Sequence, residues 1–230
     1  MSNVGKVILL VGSPKAKNST SESLGSYLLD QIVESGVGDK IETETIRIHS
    51  YLRSEEKIQD ILSKVYEAEL LLLAFPLYID SLPWPVIRLL ELISEHRPTT
   101  GQKMPKIAVI CNCGFPESSQ NVLAVQICQL FASGVGMDWL GGLALGGGGA
   151  IGGKSLTELG GLVRNVRTSL DIAALALAAG EVIPGEALEL MAKALIPKWL
   201  YILIGNHNWK RTARKNGVKG ELYNRPYVEQ

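Results

Sequence analysis

At 230 residues, 46% of them hydrophobic, the chain is long enough for one generous domain or two small ones with a sizeable buried core. Lysine plus arginine equals aspartate plus glutamate at 23 each, so no global field exists to hold nucleic acid, and any partner is recognised locally. Three cysteines, an odd number, do not make a disulfide framework, and the start Met1-Ser2-Asn3-Val4-Gly5-Lys6 lacks the regions of a signal peptide; reduced thiols and a cytoplasmic location are expected.

Lys6 to Val11 is a continuous β-branched and leucine run stopped by Gly12-Ser13-Pro14, the pattern of a central strand buried on both faces. Ser19-Thr20-Ser21-Glu22 has the Ser-x-x-Glu form of a capping box, and Leu24, Leu28, Leu29, Ile32 and Val33 follow at helical spacing. Ile41 to Ile48 alternates apolar residues with charge and suits a strand nearer the sheet edge. Ile58, Ile61, Leu62 and Val65 mark a second helix, and Leu70 to Phe75, ending at Pro76, is a third strand.

Pro83-Trp84-Pro85 cannot continue a strand, and Pro85 suits the first turn of a helix through Val86, Leu89, Leu90 and Ile93. Lys106 to Cys111 is the fourth strand, Val122 to Phe131 the fourth helix and Trp139 to Leu145 a glycine-diluted fifth strand. Beyond it come a glycine-rich loop, Gly146 to Gly153, a helix predicted from Leu156 to Ala179, and more helix after Pro184-Gly185. The last element, Ile196 to Ile204, is apolar and carries Trp199 and Tyr201; a basic tail with Lys210, Arg211, Arg214 and Lys215 follows.

Strands alternating with helices imply right-handed crossovers and a parallel sheet covered on both faces, with ligands at the carboxyl edge where strand order reverses. Function is therefore expected in the loops Gly12 to Thr20, Pro76 to Pro83 and Asn112 to Ser119. The first is crowded with hydroxyls, one amide and two lysines at a helix start, where unpaired N–H groups and a partial positive charge suit a terminal phosphate. Plain helix capping explains the same hydroxyls. The second, Ala74-Phe75-Pro76-Leu77-Tyr78-Ile79-Asp80-Ser81-Leu82-Pro83, offers a flat ring an apolar wall and backbone amides, although Tyr78 also reads as an ordinary half-buried loop aromatic.

Together these segments, over about residues 4 to 145, resemble the flavodoxin-like NAD(P)H-dependent FMN reductase and quinone reductase superfamily, including the flavin domain of iron-sulfur flavoproteins. Gly12, Ser13, Pro14, Lys15, Asn18, Ser19, Thr20 and Ser21 match the family's phosphate loop. Pro76, Leu77, Tyr78, Ile79 and Pro83 match its Pro-x-Tyr segment, which in the family lies along the isoalloxazine, and Asn112, Cys113, Gly114 and Phe115 stand where its third flavin loop follows strand four. The resemblance implies an α/β, flavodoxin-like five-stranded parallel sheet of order 2-1-3-4-5 with helices on both faces and a C-terminal helical extension. It implies bound FMN with NADPH or NADH as electron donor, and a quinone, flavin or similar small molecule as acceptor. The flavin domain is expected over residues 1–180, and residues 181–230 form an extension packed on the domain or on a partner subunit, as in a homodimer. No catalytic acid, base or nucleophile and no metal site is assigned. An electron carrier of the flavodoxin type, or a flavin-binding protein without NAD(P)H activity of its own, is the alternative; such carriers are usually strongly acidic, whereas this chain has no net charge.

The cluster motif of iron-sulfur flavoproteins is missing, since Cys111, Cys113 and Cys128 are the only cysteines. Cys111 reads as a small buried hydrophobe, and a redox role for Cys113 stays open. Gly148-Gly149-Ala150-Ile151-Gly152-Gly153-Lys154-Ser155 fits the P-loop pattern letter for letter, but the strands a nucleotide hydrolase needs after it are missing; a mobile loop over the flavin is the alternative expectation. His49, His96 and His207 have no ligand or triad spacing. The Ile196 to Ile204 stretch is too short to span a membrane, and packing against protein is expected over a membrane-surface role.

Overall fold

The structure, a computed structural model, describes residues 4–15, 17–35, 41–97 and 103–225; Met1 to Asn3, Ala16 and the Pro226-Tyr227 end of the tail lie outside the described residues. It divides into two units, Met1–Leu195 and Ile196–Gln230.

The first unit is built on five parallel strands, β1 (Lys6–Val11), β2 (Glu42–Arg47), β3 (Leu70–Pro76), β4 (Lys106–Asn112) and β5 (Asp138–Leu145), in the order β2-β1-β3-β4-β5. This is the flavodoxin-like sheet. The central strands alternate between two apolar layers: Val7, Leu9 and Val11 of β1 face one, and Ile8 and Leu10 the other. Leu70, Leu72 and Ala74 of β3 join the first, and Leu71, Leu73 and Phe75 the second, which is why β1 and β3 read as unbroken apolar runs.

On the first face lie α1 (Thr20–Glu34), α6 (Arg164–Ala178) and α7 (Gly185–Ala192), which supply Leu24, Leu28, Ile32, Val166, Leu170, Leu177, Ala187 and Met191. On the second lie α2 (Ile48–Tyr51), α3 (Glu55–Glu67), α4 (Trp84–Glu95) and α5 (Val122–Val135), with Ile48, Ile61, Val65, Val86, Leu89, Ile93 and Cys128. Glycine sets how closely α1 approaches the sheet: a Cβ on Gly25 would lie 2.5 Å from Leu9 Cδ1 and 3.2 Å from Ala74 Cβ. That approach carries the start of α1 to the mouth of β1 and β3.

The strands and α1, α3, α4 and α5 fall where the sequence patterning puts them. The short helix α2 was not anticipated. The helix expected from Leu156 begins only at Arg164, after turns and a 3-10 segment at Gly160–Val163, because Gly160 adopts φ +52°, outside the right-handed helical region. The first unit takes in α7, whose Ala187 carbonyl accepts from the buried Ser169 hydroxyl of α6 at 2.6 Å.

In the second unit, α8 (Lys198–Lys215) follows Pro197 and ends in Arg214 and Lys215, cations that suit the carbonyl end of a helix. Trp199, Ile202, Leu203 and Trp209 are exposed. Among the described residues, no helix is long and apolar enough to cross a membrane.

Candidate functional site

Strand order reverses between β1 and β3, so the loops leaving them diverge and open a crevice at the carboxyl edge. An open cleft of about 420 Å³ lies there, lined by Ser13, Lys15, Ser19, Thr20, Ser21, Pro76, Tyr78 and Asn112, together with Gly152. The structure thus gathers residues of all three predicted loops at one place.

The floor of the cleft is the start of α1. Ser19 is its N-cap and its hydroxyl accepts from the Glu22 N–H at 3.1 Å. Thr20 and Ser21 occupy the first two helical positions, whose N–H groups have no acceptor within a helix. Ser13, Ser19 and Ser21 are buried, and Lys15 Nζ donates to the Asn18 carbonyl at 2.9 Å while the Lys15 N–H meets Ser13 Oγ at 3.3 Å. Asn18 itself turns with φ +56°, a conformation asparagine tolerates better than most residues. Hydroxyls, an ammonium and open helix-start amides converge as they would on a phosphate.

The wall is the loop after β3. Leu77 is buried and its N–H donates to the Asn112 carbonyl at 2.8 Å, extending the β3–β4 ladder past the sheet. Tyr78 and Ser81 exchange two backbone hydrogen bonds of 3.0 Å around Ile79 and Asp80, both with positive φ at +49° and +57°. This is a tight turn of the mirror-image kind, which favours Asn-Gly. Tyr78 is about half exposed and lines the cleft, whereas Ile79, at 99% exposure, stands at the tip of the turn, outside the cleft lining.

The third loop is knitted by Asn121, fully buried: its Oδ1 accepts from Cys111 Sγ at 3.1 Å, and its Nδ2 reaches the carbonyls of Ser118 and Leu145 and Cys113 Sγ at 3.1 to 3.4 Å. Burial pushes the Cys113 thiol above its ordinary range, and the thiol donates towards the Phe115 and Glu117 carbonyls. Cys113 therefore braces its own turn. A Cβ added at Gly114 would point into open space, and Phe115 is exposed. Of the predicted residues in this loop, only Asn112 lines the cleft.

The glycine-rich loop, expected from the sequence as a mobile loop over the flavin, makes specific contacts with the first and third loops in the structure. Thr20 Oγ1 donates to the Gly148 carbonyl at 2.9 Å, and the N–H groups of Gly147 and Gly148 donate to the carbonyls of Phe115 and Cys113 at 2.6 and 2.8 Å. Gly153, at φ +81°, presses its backbone on that of Asn18; a Cβ there would lie 1.9 Å from the Asn18 oxygen. The loop clamps the first and third loops together. Nor does it form a phosphate loop of the nucleotide-hydrolase kind, since the next α-helix begins at Arg164, well beyond Lys154. Its signal in the sequence was the density of glycine directly after the last strand. Among the described residues no cluster of three or more histidine, cysteine or acidic side chains suits a metal ion.

No protein-family model matches the chain, and no curated protein matches it. Solved structures do share its fold. An FMN-dependent NADH-azoreductase from Bacillus anthracis, in complex with FMN, is 16% identical with a TM-score of 0.56 over 76% of this chain and 99% of its own. An NADH:FMN oxidoreductase is 15% identical with a TM-score of 0.57, over 84% of this chain and 97% of its own. RosB, solved with a bound 8-demethyl-8-formylriboflavin-5'-phosphate, is 12% identical with a TM-score of 0.56 and spans 98% of this chain and 91% of its own.

Proposed function

We propose that the chain is an FMN-dependent NAD(P)H oxidoreductase that passes electrons through bound flavin to a quinone, a flavin or a similar small acceptor. One observation carries the reading: hydroxyls, lysine and helix-start amides at one end of a cleft adjoin Pro76, Tyr78 and Asn112 at the switch point of the sheet. That donor set fits a phosphate monoester joined to a flat ring system. The three fold relatives above all have a riboflavin phosphate in their names or their complexes, which agrees with it.

In this reading Ser13, Lys15, Ser19, Thr20 and Ser21 hold the phosphate, Pro76 and Tyr78 flank the ring and Asn112 borders its polar edge; Asn18, Leu77, Ile79, Cys113, Gly114 and Phe115 shape the loops that carry these residues rather than line the cleft. FMN, when bound, supplies the hydride and electron transfer. The chain's residues orient the ring and leave one face open for a nicotinamide, NADPH or NADH, and then for the acceptor. The assembly we favour is a homodimer in the cytoplasm. A row of exposed apolar side chains on α4 and α5, including Ile87, Leu123, Ile127 and Leu130, supports an oligomer.

The test is the visible spectrum of the purified protein, followed anaerobically on addition of NADPH or NADH. Flavin bands that bleach establish the reductase. Bands that persist favour the electron carrier, and a protein that binds no FMN when FMN is supplied is neither.

A further inference from the structure

The Ser-x-x-Glu motif at the start of α1 is formed only by half. In a complete capping box, the glutamate carboxylate three residues into the helix folds back to accept from the N–H of the cap residue. Here the Ser19 hydroxyl accepts from the Glu22 N–H at 3.1 Å, but the Glu22 carboxylate turns the other way and takes Arg47 Nη2. No described residue accepts from the Ser19 N–H. The sheet explains how Arg47 arrives there. It ends β2 in register with Val11, the last residue of β1, so it stands beside the strand whose next loop forms the floor of the cleft. The Ser50 hydroxyl donates to its carbonyl at 2.7 Å where α2 begins, which fixes the backbone. Arg47 Nε is buried with no acceptor among the described residues, so Glu22 is the guanidinium's described anionic partner.

A free Glu22 carboxylate would do two things to the cleft: close the cap by taking the Ser19 N–H, and set a negative charge in the first turn of the helix that faces the ligand's phosphate. Both oppose a phosphate bound at that helix start. We propose that Arg47 is a positioning residue for the phosphate end of the ligand: it holds Glu22 off the cap, leaving the Ser19 N–H open, and it offsets the carboxylate's charge beside the dianion. This rests on the assignment of FMN to the cleft. It makes selectivity for a phosphorylated flavin depend on a residue of the neighbouring strand that touches no ligand.

The experiment is a cycle of FMN dissociation constants, by quenching of flavin fluorescence, for the full-length apoprotein and its Arg47→Met, Arg47→Lys, Glu22→Gln and Arg47→Met/Glu22→Gln variants. Losing one hydrogen bond to a charged group predicts that Arg47→Met weakens FMN binding by about tenfold or more. Arg47→Lys, which keeps a cation for Glu22, stays within about threefold of the native chain on the same footing. Glu22→Gln in the Arg47→Met background restores the affinity, because no carboxylate remains to close the cap. Unchanged affinity in Arg47→Met, or a loss that Glu22→Gln does not repair, overturns the proposal. Failure of the native apoprotein to bind FMN overturns the functional reading instead.

Discussion

Asn112, the last residue of β4, donates through Nδ2 to the Ser21 hydroxyl of α1 at 2.8 Å and to the Phe75 carbonyl of β3 at 3.2 Å. One buried amide thus ties the floor of the cleft to its wall. Replacement by leucine strands two buried polar groups, at about 1 to 3 kcal/mol for such a loss. Asn112→Leu is expected to lower the unfolding free energy, read from urea denaturation, by that amount and to weaken FMN binding, read by fluorescence titration. Native affinity in a folded Asn112→Leu protein argues against Asn112 as the link between the loops.

Gly153 tests the clamp. A methyl group at this position meets the Asn18 backbone and is also strained at φ +81°. Gly153→Ala should displace the first loop and reduce FMN affinity by about tenfold or more, a change worth about 1.4 kcal/mol per decade, while far-ultraviolet circular dichroism stays native. Gly160→Ala, at an equally left-handed φ of +52° but with open space around it, should leave FMN affinity alone.

Ile79 carries a cost that its surroundings do not repay. A β-branched residue at φ +49° is a strained outlier, and at 99% exposure it gains nothing from burial. Ile79→Asn retains the turn with a residue that accepts this backbone, and should stabilise the chain by about 1 kcal/mol, or roughly 2 to 4 °C in melting temperature. A lower melting temperature in this variant would show that the turn draws support from Ile79. Slower turnover alongside higher stability would place the strain in the service of activity.

The buried thiols predict alkaline sensitivity. Burial pushes the Cys128 thiol from its ordinary 9.0 up to about 12 and raises Cys111 likewise. Folded, each keeps its proton where the unfolded chain has lost it, so the unfolded state binds fewer protons. Stability is therefore fully present below about pH 9 and falls as the pH rises from there towards 12. Urea unfolding at about pH 8 and about pH 10 should show a drop that Cys128→Ala reduces, against its own value at the lower pH. Neither thiol should react with iodoacetamide in the native state near neutral pH.

Alternate occupation of one flavin face by donor and acceptor predicts ping-pong kinetics. Initial rates measured against NADPH or NADH at several acceptor concentrations should give parallel double-reciprocal lines. Intersecting lines would mean that both substrates are bound at once.

The sheet was legible because β1, β3 and β4 are buried on both faces and so must be apolar at successive positions, while each following helix must repeat its apolar residues at helical spacing. Gly12 to Ser21 and Pro76 to Pro83 were legible as loops at the strand mouths for a related reason: a chain leaving a buried strand at a switch point needs turn residues, and hydroxyls and proline there have local meanings. Phe115 and Cys113 were harder, because their positions depend on Asn121, Leu145 and the glycine loop, which meet them only in three dimensions.

By itself, the sequence determined the strand and helix rhythm and the three loops that converge on the cleft, since periodicity, capping and turn chemistry act over a few residues. Tertiary structure alone decided that Gly153 presses on Asn18, that Asn112 reaches Ser21, and that Glu22 leaves its cap for Arg47. These contacts join segments far apart in the chain, and the strand order of the parallel sheet, which brings the end of β2 beside the end of β1, has no local signature for a sequence to display.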